Sequence, residues 1–330
     1  MQRVGNLFPG FCSFQNLLLA WRKTRRGSGR NAESALFFQE LEKELFALQT
    51  ELKNETWQPR AYRFFDIYDP KHRTIAVSDF RDRVTHHALV NVLEPVFEKI
   101  FSADSYATRQ GKGVHAAVFR AQHFLRGHEF FLKTDVEKFF DSVNHNILLQ
   151  IISRKIKDRR LFDVCEKIIR HGGAGGCGLP IGNRTSQFFA NVYLDPLDHF
   201  LKDKCRLHGY VRYMDDFVLF ENDNKRLKSL LQAAEDFLHD TLQLRLKPSA
   251  TLLNRRQHGL PFLGRRIFPG IIRLRTENLR RITHRIAFRE RQMMSGDISE
   301  EAFLHSMNSY WAMLSYYPEL SPLRQALLSA

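Results

Sequence analysis

Three aspartates in this chain have the type and spacing to do chemistry. Asp215 and Asp216 stand side by side within residues 210–220 (YVRYMDDFVLF), with an apolar run on either side. The pattern predicts a tight hairpin. It leaves two adjacent carboxylates between hydrophobic strands, where they repel each other and lose hydration, so a cation is expected to compensate. Asp in a turn is otherwise ordinary. Asp135 alters that reading, because it ends a second apolar run, residues 129–135 (EFFLKTD), with Asp141 following. If the two strands are neighbours in one sheet, Asp135, Asp215 and Asp216 converge at one edge. Such a set suits Mg²⁺, which takes oxygen ligands, keeps several waters and binds one or two carboxylates plus substrate phosphates. Two such ions about 3.5–4 Å apart clamp the attacking and leaving oxygens of a phosphoryl transfer.

The rest of the chain must position these groups and supply a partner. Fifty Lys and Arg against 36 Asp and Glu give a formal charge of +14 over 330 residues, with a pI near 9.8. That balance asks for a polyanion: nucleic acid first, an anionic membrane surface second. A basic chain with a metal-binding carboxylate cluster is a polymerase or a nuclease. Hydrophobic residues at 43%, including 28 Phe, exclude wholesale disorder. Cys12, Cys165, Cys177 and Cys205 lie far apart without a C-x-x-C pair, against a zinc ribbon or disulfide scaffold and in favour of a reducing compartment. Residues 4–21 lack charge, but glycines, Asn and Pro interrupt them too often for a bilayer span, and no signal peptide is recognised, so no membrane role is expected.

Hydrophobic spacing predicts a helix carrying Phe11, Phe14, Leu18 and Trp21, then a flexible cationic loop, Arg22 to Arg30, in which Arg25 and Arg26 suit phosphate contact. Asn31 can cap a helix over 31–53, and Asp79 one that carries Val84, Leu89 and Val96. Helical patterning over 144–170 leads into five glycines between Gly172 and Gly178, a loop before a helix from about Thr185. A helix at about 224–240 and short strands near 251–253 and 260–268 follow. The last 55 residues read as helical and basic, with Tyr310 and Trp311 as core or partner surface.

Tyr213-Met214-Asp215-Asp216 resembles the YxDD motif of reverse transcriptases, and Asp135 to Asp141 resembles their first catalytic motif. Arg73-Thr74-Ile75 with Phe80-Arg81-Asp82-Arg83 is similar to their fingers segment, and Leu246-Lys247-Pro248 and Phe262-Leu263-Gly264 to two later palm motifs. The order and spacing match over about residues 60–268. The resemblance implies an α+β, right-hand polymerase fold. Its parts would be N-terminal helices and fingers (1–127), a palm of antiparallel sheet plus helices (128–268, with a fingers-side insertion about 145–180) and a short helical thumb (269–330). It further implies that Asp135, Asp215 and Asp216, with the backbone carbonyl of Val136, hold two Mg²⁺ ions, for which Mn²⁺ can substitute. Phe140 would be the steric gate that selects deoxynucleotides, although the sequence does not choose it over Phe139. Arg73 would hold the incoming triphosphate, Lys247 would protonate the leaving pyrophosphate, and Arg280, Arg281 and Arg285 would track the template–product duplex.

A departure refines the resemblance. Residues 178–187 (GLPIGNRTSQ) carry Ile181-Gly182 where most reverse transcriptases have Gln-Gly, and Ser186-Gln187 follows. This is similar to the enzymes of diversity-generating retroelements, with Ile181, Gly182 and Gln187 at the nucleotide. That likeness implies dNTP polymerisation on a template-repeat RNA with errors opposite adenine, giving cDNA that replaces a variable repeat. It also implies a small basic accessory variability protein as partner, in the cytoplasm of a bacterium or a phage host. The physical route is lost polar control: an unmade hydrogen bond costs about 1–3 kcal/mol, and selectivity built on polar contacts goes with it. The other expectations are a group II intron enzyme, which would carry a further maturase region, a retron or host-defence enzyme, or a catalytically silent RNA-binding scaffold.

Overall fold

Apolar runs without alternation need cover on both faces, and the central sheet meets that requirement. The computed structural model describes residues 3–26, 32–68 and 72–315. Two N-terminal helices, α1 (Phe8–Phe11) and α2 (Phe14–Arg26), precede α3 (Ala32–Gln39) and α4 (Leu41–Lys53). A hairpin, β1 (Arg63–Ile67) and β2 (Arg73–Val77), leads to α5 (Phe80–Phe97) and α6 (Val114–Gly127). Then come β3 (Phe130–Asp135), the single turn α7 (Phe139–Ser142), α8 (His145–Ser153), α9 (Arg159–His171) and α10 (Arg184–His199). The hairpin β4 (Gly209–Tyr213) and β5 (Asp216–Glu221) is followed by α11 (Asn224–Leu242), β6 (Leu252–Arg255), β7 (Leu260–Phe262), β8 (Arg265–Ile267) and β9 (Ile272–Leu274). Two helices, α12 (Thr276–Met294) and α13 (Glu300–Ser315), close the described chain.

The central sheet is antiparallel in the order β4-β5-β3-β6. Leu132, Tyr210, Phe217 and Leu219 point into a core built with α5, α8, α10 and α11, while Phe131, Val211, Val218 and Phe220 enter a second core with α6 and the β7-β8-β9 sheet. Successive residues enter opposite cores, the period of two that a strand imposes. The middle of the sheet is therefore fixed from both sides, and β3 and β5 run on from it to the end where Asp135 and Asp216 lie.

Several local expectations are met. Asp79 caps α5 by accepting from the Arg81 amide at 2.9 Å, and Asp135 closes a strand that neighbours the Asp215-Asp216 hairpin. Others need correction. Arg22, Lys23, Arg25 and Arg26 belong to α2, not to a loop, the last three of them in its final turn; cations there meet the negative end of the helix dipole. Residues 27–31, including the expected cap Asn31, lie outside the described residues. The helix expected over 31–53 breaks at Glu40, whose backbone leaves the helical region (φ −114°, ψ 32°), whereas the helical patterning over 144–170 is met by two helices, α8 and α9. The stretch 260–268 is a hairpin, turned at Leu263 and Gly264 with φ of 47° and 77°. Strand β9, with Arg273, was not expected.

Candidate active site

The register of β3 against β5 sets Asp135 directly opposite Asp216, and β4 against β5 sets Tyr213 opposite Asp216 as well. Between them Met214 takes the left-handed conformation (φ 58°) that the two-residue turn requires. Asp215 rides on this turn, its carbonyl accepting from the Val136 amide at 3.3 Å. Burial pushes the Asp215 carboxyl up to about 7, and the facing Asp135 carboxylate, within hydrogen-bonding reach, and Asp216 push the same way. Asp216 rises to about 6, again through burial, with the Lys133 ammonium pulling it back.

Lys133 lies two residues before Asp135 and so on the same face of β3. Its Nζ sits 2.8 Å from Asp216 Oδ1, a buried oxygen for which this ammonium is the partner. Convergence of the three carboxylates is thus partial. Asp135 and Asp215 face each other, while Asp216 takes the nearby ammonium, and among the described residues no three acidic, His or Cys side chains form a ready-made metal cage. The donor set still fits a hard divalent cation: crowded carboxylate oxygens, two of the carboxyls pushed up by burial, and a single ammonium to offset them. A cation here would favour the ionised form of each.

The other expected residues fall into separate groups. The Lys247 amide donates to the Asp135 carbonyl at 2.8 Å, which puts the half-buried Lys247 beside the carboxylates. Phe139 is core, 2% exposed, whereas Phe140 is half-buried, so the structure separates two rings that the sequence left equivalent. Arg73, exposed at the start of β2, lines a cleft of about 660 Å³ together with Thr74, Ala76, Asp141 and Ile181. Asp141 therefore shares the Arg73 cleft.

Ile181 is fastened to β2 by its carbonyl, which accepts from the Ala76 amide at 2.8 Å. Gly182 has a φ of +119°, and a Cβ there would lie 2.8 Å from Ile75 Cγ2 and 2.9 Å from the Ala76 carbonyl oxygen. Only glycine lets this segment lie flat against β2. Gln187 is not brought to the Arg73 cleft: it lines a different one, of about 310 Å³, with Lys23, Arg83, His87 and Gly182. The first turn of α10 points it there.

Among the expected phosphate contacts, Arg25 lays its guanidinium over the rings of Trp21 (5.7 Å) and Phe38 (5.2 Å), and Arg26 is exposed at the end of α2. Arg280, Arg281 and Arg285 are exposed on α12, a helix with no buried residue. Sequence reasoning missed Lys133, although a cation at the second position before a strand-ending Asp was visible as a same-face pair.

The comparisons with known proteins agree with this geometry. Residues 68–267 match the family described as reverse transcriptase (RNA-dependent DNA polymerase). The chain belongs to the reverse transcriptase family. That span holds Arg73, Asp135, Ile181, the Asp215-Asp216 turn and Lys247. The chain is similar to protein YkfC of Escherichia coli, 27% identical over 68% of this chain and 71% of YkfC. It is also 27% identical to the group II intron-encoded protein LtrA of Lactococcus lactis, over 56% of this chain and 33% of LtrA. Among solved structures, apo telomerase of Candida tropicalis shares the fold, with a TM-score of 0.50 at 12% identity over 65% of this chain and 54% of that one. The mixed helices and antiparallel sheets described above are the reverse transcriptase fold. No helix among the described residues is long and apolar enough to cross a membrane.

Proposed function

We propose that this reverse transcriptase makes error-prone cDNA from a template-repeat RNA of a diversity-generating retroelement, misreading template adenines. The observation that carries this reading is Ile181. Its backbone is pinned to β2 beside Arg73, and its side chain offers the cleft no hydrogen bond. A polar residue there would restrain a nucleotide's geometry; a branched apolar one restrains only its bulk.

In this reading fingers, palm and thumb span 1–127, 128–268 and 269–330. Asp135, Asp215, Asp216 and the Val136 carbonyl would hold two Mg²⁺ ions, or Mn²⁺ in their place, which supply charge neutralisation at the reacting phosphate when bound. Arg73 pairs with the triphosphate of the dNTP, a match for its planar guanidinium. Phe140 excludes a ribose 2′-OH, and Lys247 delivers a proton to the leaving pyrophosphate. Gly182 lets the nucleotide segment lie close to β2, and Tyr213 and Met214 frame the turn. Arg280, Arg281 and Arg285, with Arg25 and Arg26, contact phosphates without reading sequence, which makes binding salt-sensitive. The partners are the template-repeat RNA, its cDNA duplex and an oligomeric basic accessory variability protein, in the cytoplasm of a bacterial or phage-infected host.

The test is primer extension on an RNA template, with sequencing of the products. Errors should concentrate opposite adenine, and Ile181→Gln should reduce them. The likeness to LtrA favours a second reading, an accurate enzyme of the group II intron type. An even, low error spectrum that Ile181→Gln leaves unchanged would select it and remove the retroelement assignment.

A further inference from the structure

Behind the catalytic turn lies a second charged cluster whose members the site chemistry does not use. Arg212 sits on β4 two residues before Met214, and it and Asp198 on α10 are fully buried, with 0% side-chain exposure each. The guanidinium grips Asp198 from two nitrogens, Nε to Oδ1 at 2.7 Å and Nη2 to Oδ2 at 2.6 Å. Its remaining nitrogen, Nη1, donates to Asn191 Oδ1 at 3.2 Å and to the Met214 carbonyl at 3.0 Å. Tyr210 adds a hydroxyl hydrogen bond to Asp198 Oδ1 at 2.6 Å. Asn191 is itself fixed, its amide nitrogen donating to the Ala107 carbonyl at 2.8 Å and Thr108 Oγ1 at 3.1 Å.

Beyond the β4–β5 ladder, two contacts hold the turn: Arg212 on the Met214 carbonyl and the Val136 amide on the Asp215 carbonyl. A left-handed residue such as Met214 persists only where its surroundings over-determine it. The planar guanidinium does this because Asp198 and Asn191 fix both its place and its plane. α10 also begins just after Ile181 and Gly182, so one rigid helix joins the nucleotide segment to the turn.

We infer that Arg212 is a positioning residue: held by Asp198 and Asn191, it fixes the Met214 carbonyl and thereby the placement of Asp215 and Asp216 for divalent metal. This rests on the polymerase reading of that site. A ready-made electrostatic arrangement loses rate steeply when displaced; an error of about 1 Å can cost on the order of a hundredfold. The anchoring is invisible to substrate, so its loss should act on turnover and metal use rather than on nucleotide affinity.

The test uses the full chain with a primed RNA template and compares wild type with Arg212→Lys and Asn191→Leu. Lysine keeps the buried positive charge but cannot reach Asp198 and Met214 together. Asn191→Leu leaves the Arg212–Asp198 ion pair intact and frees the guanidinium plane, giving up with it the Asn191 bonds to Ala107 and Thr108. Arg212→Lys should lower kcat by roughly tenfold to a hundredfold with an unchanged KM for dNTP, and Asn191→Leu should lower it by a smaller factor. Mn²⁺ binding to the protein, read by electron paramagnetic resonance without dNTP, should weaken in the same order. If Arg212→Lys fails to fold, Asn191→Leu decides alone. Wild-type kcat and wild-type Mn²⁺ affinity in the folded variants would overturn the positioning role. A wild-type protein that extends no primer would instead overturn the polymerase reading.

Discussion

Two acidic clusters share the β4–β5 hairpin and solve opposite problems. At the buried end, Asp198 receives a two-pronged grip from Arg212 and a hydroxyl from Tyr210. Burial alone would lower the guanidinium's pKa, but the Asp198 carboxylate holds it above its usual range. At the turn, Asp215 and Asp135 face each other without a cation, and Asp216 has one ammonium, that of Lys133 at 2.8 Å. Asp195, beside the internal pair, is pushed up to about 7 by burial and by Asp198, with His199 3.7 Å away pulling it back. The contrast shows that burial of acids is not by itself the mark of a site. The internal cluster carries its own counter-charge and sets structure. At the turn one ammonium, Lys133, stands against three carboxylates, so they remain available to a cation that arrives from outside.

The largest effect that could break this comparison lies at the internal pair. Asp198→Ala would leave Arg212 buried and uncompensated, and should destabilise the fold by about 3–5 kcal/mol in chemical denaturation. A loss within about 1 kcal/mol would show that the guanidinium finds other partners.

The turn should behave in the reverse sense. The raised Asp215 carboxyl favours the folded state below its unfolded value of 3.8 and loses that contribution as pH rises through about 7. In chelator-treated protein, Asp215→Asn should therefore melt at the same temperature as wild type near pH 4 and higher than wild type at pH 8. A variant that melts lower at pH 8 would contradict the view that this carboxylate is held against its own stability.

A smaller effect is expected from Lys133→Met, because the ion pair is partly exposed. Stability should change by no more than about 1 kcal/mol, while the pKa of Asp216, followed by NMR of its side-chain carboxyl, should rise further. An Asp216 that titrates as in wild type would show that Lys133 does not restrain it.

Much of the site was legible in the chain. The apolar runs ending at Asp135 and flanking Asp215-Asp216 announced two strands, and their pairing in register is what brings those acids to one edge. The cap at Asp79 was equally plain, because capping is a local hydrogen bond. What stayed hidden depends on tertiary packing. Asp198 and Arg212 drew no expectation, since a buried pair leaves no local pattern. Phe139 and Phe140 differ only in which ring faces the core. Arg22 to Arg26 looked like a loop because cations and glycines cluster there, yet α2 continues through Arg26. Gln187 seemed bound to Ile181 by proximity in the chain, but the first turn of α10 aims it at another cleft.

One assay reaches the centre of this account: single-nucleotide extension of a primed RNA template in Mg²⁺, with wild type, Asp135→Asn and Asp215→Asn at matched primer–template occupancy. Each substitution should slow extension by at least about a hundredfold while leaving template binding intact. Extension by Asp135→Asn at the wild-type rate would contradict the claim that the end of β3 and the turn beyond β4 act as one catalytic centre.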